Sequence, residues 1–234
     1  RVLFRSLFLF LPFLLSFLCE CVFAFCVTSM GDTRNFKVVL LGEGCVGKTS
    51  LMLRYVQNQF NDKHLTTIQA SFLSKRLTVD GVRVNLAIWD TAGQEKFHAL
   101  GPIYYRDSNG AILVYDITDR DSFDRVQNWV KELRKMLGEG IVLVIAGNKC
   151  DLERQRVVSL EEAEAYAKTV GAQHFSTSAK LSKGVSELFL QLTKLLLAHS
   201  STAARAGSVP KSDSGTLIIT EGDAERDTGS GCSC

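Results

Sequence analysis

The chain has almost no surplus of either charge. Its 27 lysines and arginines stand against 25 aspartates and glutamates, a formal +2 over 234 residues. No basic stripe with interleaved aromatics occurs, so the electrostatic footprint of a nucleic-acid binder is missing. No internal repeat divides the chain, and its length suggests one domain with appendages. A disulfide framework is missing too. The seven cysteines fall into three groups: Cys19, Cys21 and Cys26 near the start, Cys45 and Cys150 in the middle, Cys232 and Cys234 at the end. Only two lie within the core-forming stretch of residues 35–198, which fits a reducing compartment. Nor is there an uninterrupted apolar run of the roughly 20 residues that a membrane span needs.

Against these absences stand three short motifs. Gly42-Glu43-Gly44-Cys45-Val46-Gly47-Lys48-Thr49 fits the Walker A template of glycine, four free positions, glycine, lysine and a hydroxyl. The run Phe36 to Leu41 reads as a buried strand entering the glycines, and a helical pattern from Lys48 to about Asn58 follows. In that context the backbone N–H groups of Gly42, Gly44, Cys45, Val46, Gly47, Lys48, Thr49 and Ser50 are placed to wrap phosphates. Gly44 and Gly47 are the expected points of close backbone approach. Lys48 is expected to bridge the β- and γ-phosphates, and the Thr49 hydroxyl to ligate Mg²⁺. An ordinary glycine turn is the plainer explanation, and the full template in this setting outweighs it.

The second motif, Asp90-Thr91-Ala92-Gly93-Gln94, follows the apolar run Val84 to Trp89. Asp90 therefore ends a strand on the ligand side of an open α/β sheet, where it would reach Mg²⁺ through a water. Gly93 supplies a backbone donor for the γ-phosphate, and Gln94 is placed to orient the attacking water. The third motif, Asn148-Lys149-Cys150-Asp151, follows the strand Ile141 to Gly147. The two oxygens of Asp151 match guanine's N1–H and 2-amino donors; adenine offers no such pair, and a site built on hydrogen bonds rejects the analogue lacking them. Asn148 braces the loop and faces the base, the Lys149 stem covers the base plane, and Ser178-Ala179-Lys180 offers a backbone N–H to guanine O6. The three motifs in this order predict a GTP-hydrolysing switch. A Walker A ATPase and a GTP-binding module with little hydrolysis are the alternatives, opposed by Asp151 and by Gln94 with Gly44 respectively.

The ends differ from the middle. Residues 1–29 are largely apolar, with Arg1 and Arg5 before the run Leu7 to Leu18, Pro12 and Ser16 inside it, and Glu20 behind. This segment fits a signal peptide with a small-residue exit at Ala24-Phe25-Cys26, or a marginal membrane span. The expectation adopted is translated upstream sequence, because the first methionine is Met30 and a secreted GTP switch would meet little GTP. From Ser200 the chain is rich in Ser, Thr, Gly, Ala and Asp and reads as a flexible linker. It closes on Gly231-Cys232-Ser233-Cys234, which is not a four-residue CaaX box but suits double prenylation, and two lipid chains make a stable anchor.

Together these residues resemble the Rab family of small GTPases. The likeness covers residues 35–198 and the final cysteines, and includes Thr67 to Phe72, Trp89 to Phe97 and Tyr104-Tyr105-Arg106-Asp107. Gln69 and Lys96 stand where the family pattern usually has glycine and arginine, and His98 to Tyr105 looks closest to the early-endosomal branch. The resemblance implies that Thr67 ligates Mg²⁺ and the γ-phosphate only in the GTP state, that Phe60 stacks beside guanine, and that Phe72, Trp89 and Tyr104 form the effector face. It implies an exchange factor, a GTPase-activating protein, a GDP-dissociation inhibitor, an escort protein with geranylgeranyl transferase, and effectors. The protein is expected as a monomer on the cytoplasmic face of endosomal or other trafficking membranes, held by prenyl groups on Cys232 and Cys234, with a cytosolic pool. The fold expected is α/β: a GTPase domain over residues 30–198, then a tail over 199–234. Asp80-Gly81 marks a hairpin between strand patterns around 71–79 and 82–89, giving one antiparallel pair in a six-stranded mixed sheet with helices on both faces. Ser159 with Glu162 reads as a capping box.

Overall fold

The computed structural model describes residues 33–62, 67, 70–91 and 104–206. Six strands form one sheet: β1 (Arg34–Leu41), β2 (Ser71–Val79), β3 (Val82–Asp90), β4 (Gly110–Asp116), β5 (Val142–Asn148) and β6 (Gln173–Ser176). Among the described residues, helices α1 (Lys48–Gln57), α2 (Arg120–Leu137) and α3 (Leu160–Thr169) lie between strands and α4 (Val185–Ala206) follows β6, with a 3₁₀ turn over Cys150–Gln155. The order across the sheet is β2-β3-β1-β4-β5-β6. Only β2 and β3 run antiparallel, with Phe72 opposite Trp89 and Val79 opposite Val82 at the Asp80-Gly81 turn.

The central strands are apolar on both faces because both faces are covered. In β1, Val38 and Leu40 join the core under α1 and α4, beside Leu51, Met52, Tyr55, Phe189 and Leu192. Val39 and Leu41 point the other way, into the core with Phe123, Val126 and Trp129 of α2. Tyr55 and Phe189 stack with ring centroids 3.8 Å apart, pinning α1 to α4.

All parallel strands therefore point their C-terminal ends to one edge, where Leu41, Asp90, Asp116 and Asn148 stop. Ligands of open α/β sheets bind outside that edge. One helix start there is left open by design. Asp119 caps α2 by accepting from Asp121 N and Ser122 N, whereas the residue before α1 is Gly47, which offers no side-chain cap. The first N–H groups of α1 thus keep their donor capacity and its positive dipole end for a ligand.

Two expectations are corrected. Ser159 does cap α3, accepting from Glu162 N at 3.2 Å, but the Glu162 carboxylate does not close the box. It takes Arg120 in a two-pronged pair at 2.6 and 2.7 Å, a better partner than one amide. The last helix also runs past Ser200 to Ala206. Ser200, Ser201 and Thr202 turn their hydroxyls onto the carbonyls of Leu197, Ala198 and His199, three residues back, so these polar side chains sit within the helix. The alanines that follow are the strongest helix formers.

Candidate functional site: a phosphate loop and a base loop

The loop after β1 is shaped by two glycines in the left-handed or fully positive region. A Cβ on Gly42 (φ 142°) would meet the Val114 carbonyl oxygen at 2.1 Å, and one on Gly47 (φ 95°) would meet Asn148 Nδ2 at 2.4 Å. Gly47 thus closes on the Asn148 side chain. Gly42 closes on β4, and Gly44 lines the cavity. That cavity, about 350 Å³, is bounded by Gly44, Cys45, Gly47, Lys48, Thr49 and Ser50 at one end, with Asn148, Lys149, Asp151, Ala179 and Lys180 at the other. Phe60, Thr67 and Thr91 also border it.

At the phosphate end, buried Lys48 donates from Nζ to the carbonyls of Gly42 and Glu43 at 2.8 and 2.7 Å. Burial pushes its ammonium down to about 8, against the opposing pull of Asp90, Glu43 and Cys45. A polyphosphate beside it would hold the charge. Thr49 Oγ1 donates to Asp90 Oδ2 at 2.5 Å and lies 2.7 Å from Thr67 Oγ1. The three residues predicted around a metal ion are therefore brought together from a helix start, a strand end and the loop between α1 and β2.

At the base end, Asn148 braces rather than floats. Its Nδ2 donates to the Val46 carbonyl at 2.8 Å, which ties the two loops together. Its Oδ1 accepts from Ala179 N at 3.3 Å and Thr177 Oγ1 at 3.4 Å. Asp151 Oδ1 takes the Ser178 hydroxyl at 2.5 Å, so the base carboxylate and the Ser178-Ala179-Lys180 loop hold each other. Lys149 sits in the left-handed region (φ 63°), and its Nζ reaches Asp116 Oδ2 at 2.6 Å. Phe60 lies half-buried at the rim, with the Arg54 guanidinium 5.8 Å above its ring.

Two partners escaped the sequence reading. Asp116 ends β4 as Asp90 ends β3, and the same strand-end argument would have flagged it. Glu43, inside the phosphate loop, is paired with Arg125 of α2 at 3.5 Å; nothing in the sequence spacing foretells that contact.

On the β2–β3 face Phe72 is 58% exposed and stacks on Trp89 at 5.3 Å, with Lys37 Nζ 5.0 Å from the Trp89 ring. Tyr104 is half-buried and helical, ahead of β4. Gly93, Gln94, Cys232 and Cys234 lie outside the described residues. Among the described residues no helix is long and apolar enough to cross a membrane.

An open helix N-terminus behind a glycine loop, with an oxygen cluster beside it and an Asn–Asp pair opposite, defines a P-loop nucleotide-binding domain. Residues 37–198 match the Ras family. The chain is 63% identical over 207 residues to Ras-related protein Rab-21 of Bos taurus, covering 86% of this chain and 93% of that one. It is likewise 63% identical over 207 residues to the Homo sapiens protein of that name (86% and 92% covered). To that of Dictyostelium discoideum it is 60% identical over 198 residues (84% and 91%). The chain belongs to the Ras family of small GTPases, in its Rab branch. It binds GTP and GDP, hydrolyses GTP to GDP and phosphate, and serves as a switch in membrane trafficking.

Proposed function

We propose that the switch works through the two ends of this cavity. The carrying observation is the meeting of Thr49, Thr67 and Asp90 oxygens beside buried Lys48. An oxygen-only set with a single carboxylate suits Mg²⁺, which takes one or two carboxylates plus phosphates in place of a full protein cage. Thr49 and Thr67 would hold the ion directly and Asp90 through water. When bound it supplies positive charge against the transferring phosphoryl oxygens.

The chain's own residues do the rest. Lys48 and the N–H groups of residues 42–50 grip the β- and γ-phosphates, and the open N-terminus of α1 adds its dipole. Gly93 donates to the γ-phosphate and Gln94 orients the attacking water. Asn148, Lys149 and Asp151, with Ser178, Ala179 and Lys180, hold guanine, and Phe60 covers it. Thr67 and Gln94 keep their loops closed only while the γ-phosphate is present, so its loss releases both. The aromatic surface of Phe72, Trp89 and Tyr104 then changes its partner affinity, which is how effectors read the state.

Among the described residues, the two arginines near the cavity are committed elsewhere: Arg54 is engaged with backbone carbonyls and Arg125 with Glu43. A GTPase-activating protein supplies that charge, and an exchange factor opens the site. The segment after α4 is a tether whose Cys232 and Cys234 carry geranylgeranyl groups, fitted by an escort protein and its transferase and masked by a GDP-dissociation inhibitor in the cytosol.

Single-turnover hydrolysis of preloaded GTP tests the mechanism. Gln94→Leu should keep GTP affinity and slow hydrolysis by about a hundredfold. Hydrolysis at the parent rate, with and without an activating protein, would remove Gln94 from its role.

A further inference from the structure

Arg54 projects from the last turn of α1, and its guanidinium bridges the loop at the base end of the cavity and the turn that ends α1. Nε donates to the Ala179 carbonyl at 2.8 Å and Nη2 to the Lys180 carbonyl at 3.2 Å. Nη1 donates to the carbonyl and to Oδ1 of Asn58, both at 3.1 Å. The same group covers Phe60 at 5.8 Å. Phe60, Ala179 and Lys180 line the cavity, and Arg54 stands behind them. One side chain thus joins the turn ending α1 to a loop whose Lys180 lies 126 residues beyond Arg54. A weaker second tie runs between the same segments, from Lys180 Nζ to Asp62 Oδ1 at 3.4 Å.

The chemistry calls for arginine in particular. Its five N–H groups lie in one rigid plane, so two carbonyls of the base loop and two oxygens of Asn58 are met without bending. A trans peptide places a carbonyl and the following N–H on opposite edges of its plane. Holding the Ala179 carbonyl toward α1 therefore turns the Lys180 N–H away from α1. Asn58 itself adopts the left-handed conformation (φ 55°) that ends the helix and starts the segment carrying Phe60. Arg54 fixes that turn at the same time as it fixes the base loop.

We infer that Arg54 is a positioning residue for nucleotide retention: it clamps the Ala179-Lys180 loop to the Asn58–Phe60 segment and so sets how fast guanine nucleotide leaves. The inference rests on the reading of Ser178-Ala179-Lys180 as a base-holding loop. Arg54 touches neither the phosphate loop nor the Thr49, Thr67 and Asp90 cluster, so releasing the clamp loosens the base end and leaves the phosphate grip in place.

The test uses the full chain loaded with a fluorescent GDP analogue, with dissociation followed under excess GDP. Loss of charged hydrogen bonds to two base-loop carbonyls in Arg54→Ala should speed dissociation by about tenfold or more. GTP already bound should still hydrolyse at the parent rate in a single turnover. Arg54→Lys keeps the charge without the fork, and its dissociation should fall between parent and Arg54→Ala. In a Phe60→Ala background the Arg54→Ala effect should shrink, because one clamp is being removed twice. A folding defect would reduce the fraction that binds nucleotide and not the dissociation rate of what is bound. Parent-like dissociation in Arg54→Ala, or in Arg54→Lys, would overturn the clamp. Asp151→Asn serves as the control: if it too leaves dissociation unchanged, the base-holding reading fails; if it alone speeds dissociation, only the clamp fails.

Discussion

Lys149 Nζ lies 2.6 Å from Asp116 Oδ2, so the lysine of the base loop is tethered at its tip to the end of β4. The other Asp116 oxygen accepts from both the N–H and the hydroxyl of Thr118, at 2.9 and 2.8 Å. Asp116 is buried, which makes its aim fixed. The lysine is thus held at both ends, by its left-handed backbone and by its ammonium on Asp116.

From this tether we predict that Asp116→Asn, which keeps the shape and the Thr118 contacts, frees the Lys149 tip and speeds GDP dissociation by about tenfold. Stopped-flow displacement of a fluorescent GDP analogue measures it. An unchanged rate would show that Lys149 holds its position without Asp116.

A second prediction concerns acid stability. His174 Nε2 lies 3.0 Å from the buried Tyr115 hydroxyl. Burial, with Arg156 nearby, pushes its imidazole down to about 4. A histidine harder to protonate when folded than when unfolded contributes its full stability above its unfolded value of 6.5 and loses it as the pH falls toward about 4. The loss amounts to about 3 kcal/mol across that window. Urea unfolding from pH 7 to 4 should show it, and His174→Gln should flatten that part of the slope. An equally steep slope in the variant would place the effect elsewhere.

The third prediction concerns the tail. In protein lacking residues 1–29, Cys232→Ser or Cys234→Ser alone should weaken membrane retention, and the double change should abolish it. One lipid chain binds only marginally, and the tail's three cations, Arg205, Lys211 and Arg226, are too few for a polybasic second signal. Fractionation of cells expressing each variant decides it. A doubly substituted protein that still pelleted with membranes would contradict the lipid anchor.

What was legible in advance follows a physical line. That Gly47, Lys48, Thr49, Asn148 and Asp151 meet around one cavity, with Asp90 against Thr49, was readable because each belongs to a short motif of fixed spacing behind a strand. The strands were readable because burial on both faces leaves apolar runs such as Val38 to Leu41. Arg54 and the Glu43–Arg125 pair were not, since each acts through a neighbour distant in sequence and looks like an ordinary surface charge until the chain folds; Asp116 was passed over although it ends β4 as Asp90 ends β3. Glu162 was misassigned for the same reason: Arg120, 42 residues away, outcompetes the local cap. The end of α4 was missed because a run of serine and threonine reads as linker unless its hydroxyls turn back onto the helix.

The central claim is that this cavity reads guanine through Asp151, and a competition titration of the parent and Asp151→Asn proteins with GTP, ATP and xanthosine triphosphate tests it most directly. The parent should bind GTP and ignore ATP, because adenine lacks the paired donors that a carboxylate accepts. In xanthine the 2-amino donor is replaced by a carbonyl, so the amide of Asp151→Asn should lose affinity for GTP by about a hundredfold or more and gain it for xanthosine triphosphate. Unchanged GTP affinity in Asp151→Asn, or effective competition by ATP in the parent, would contradict the account.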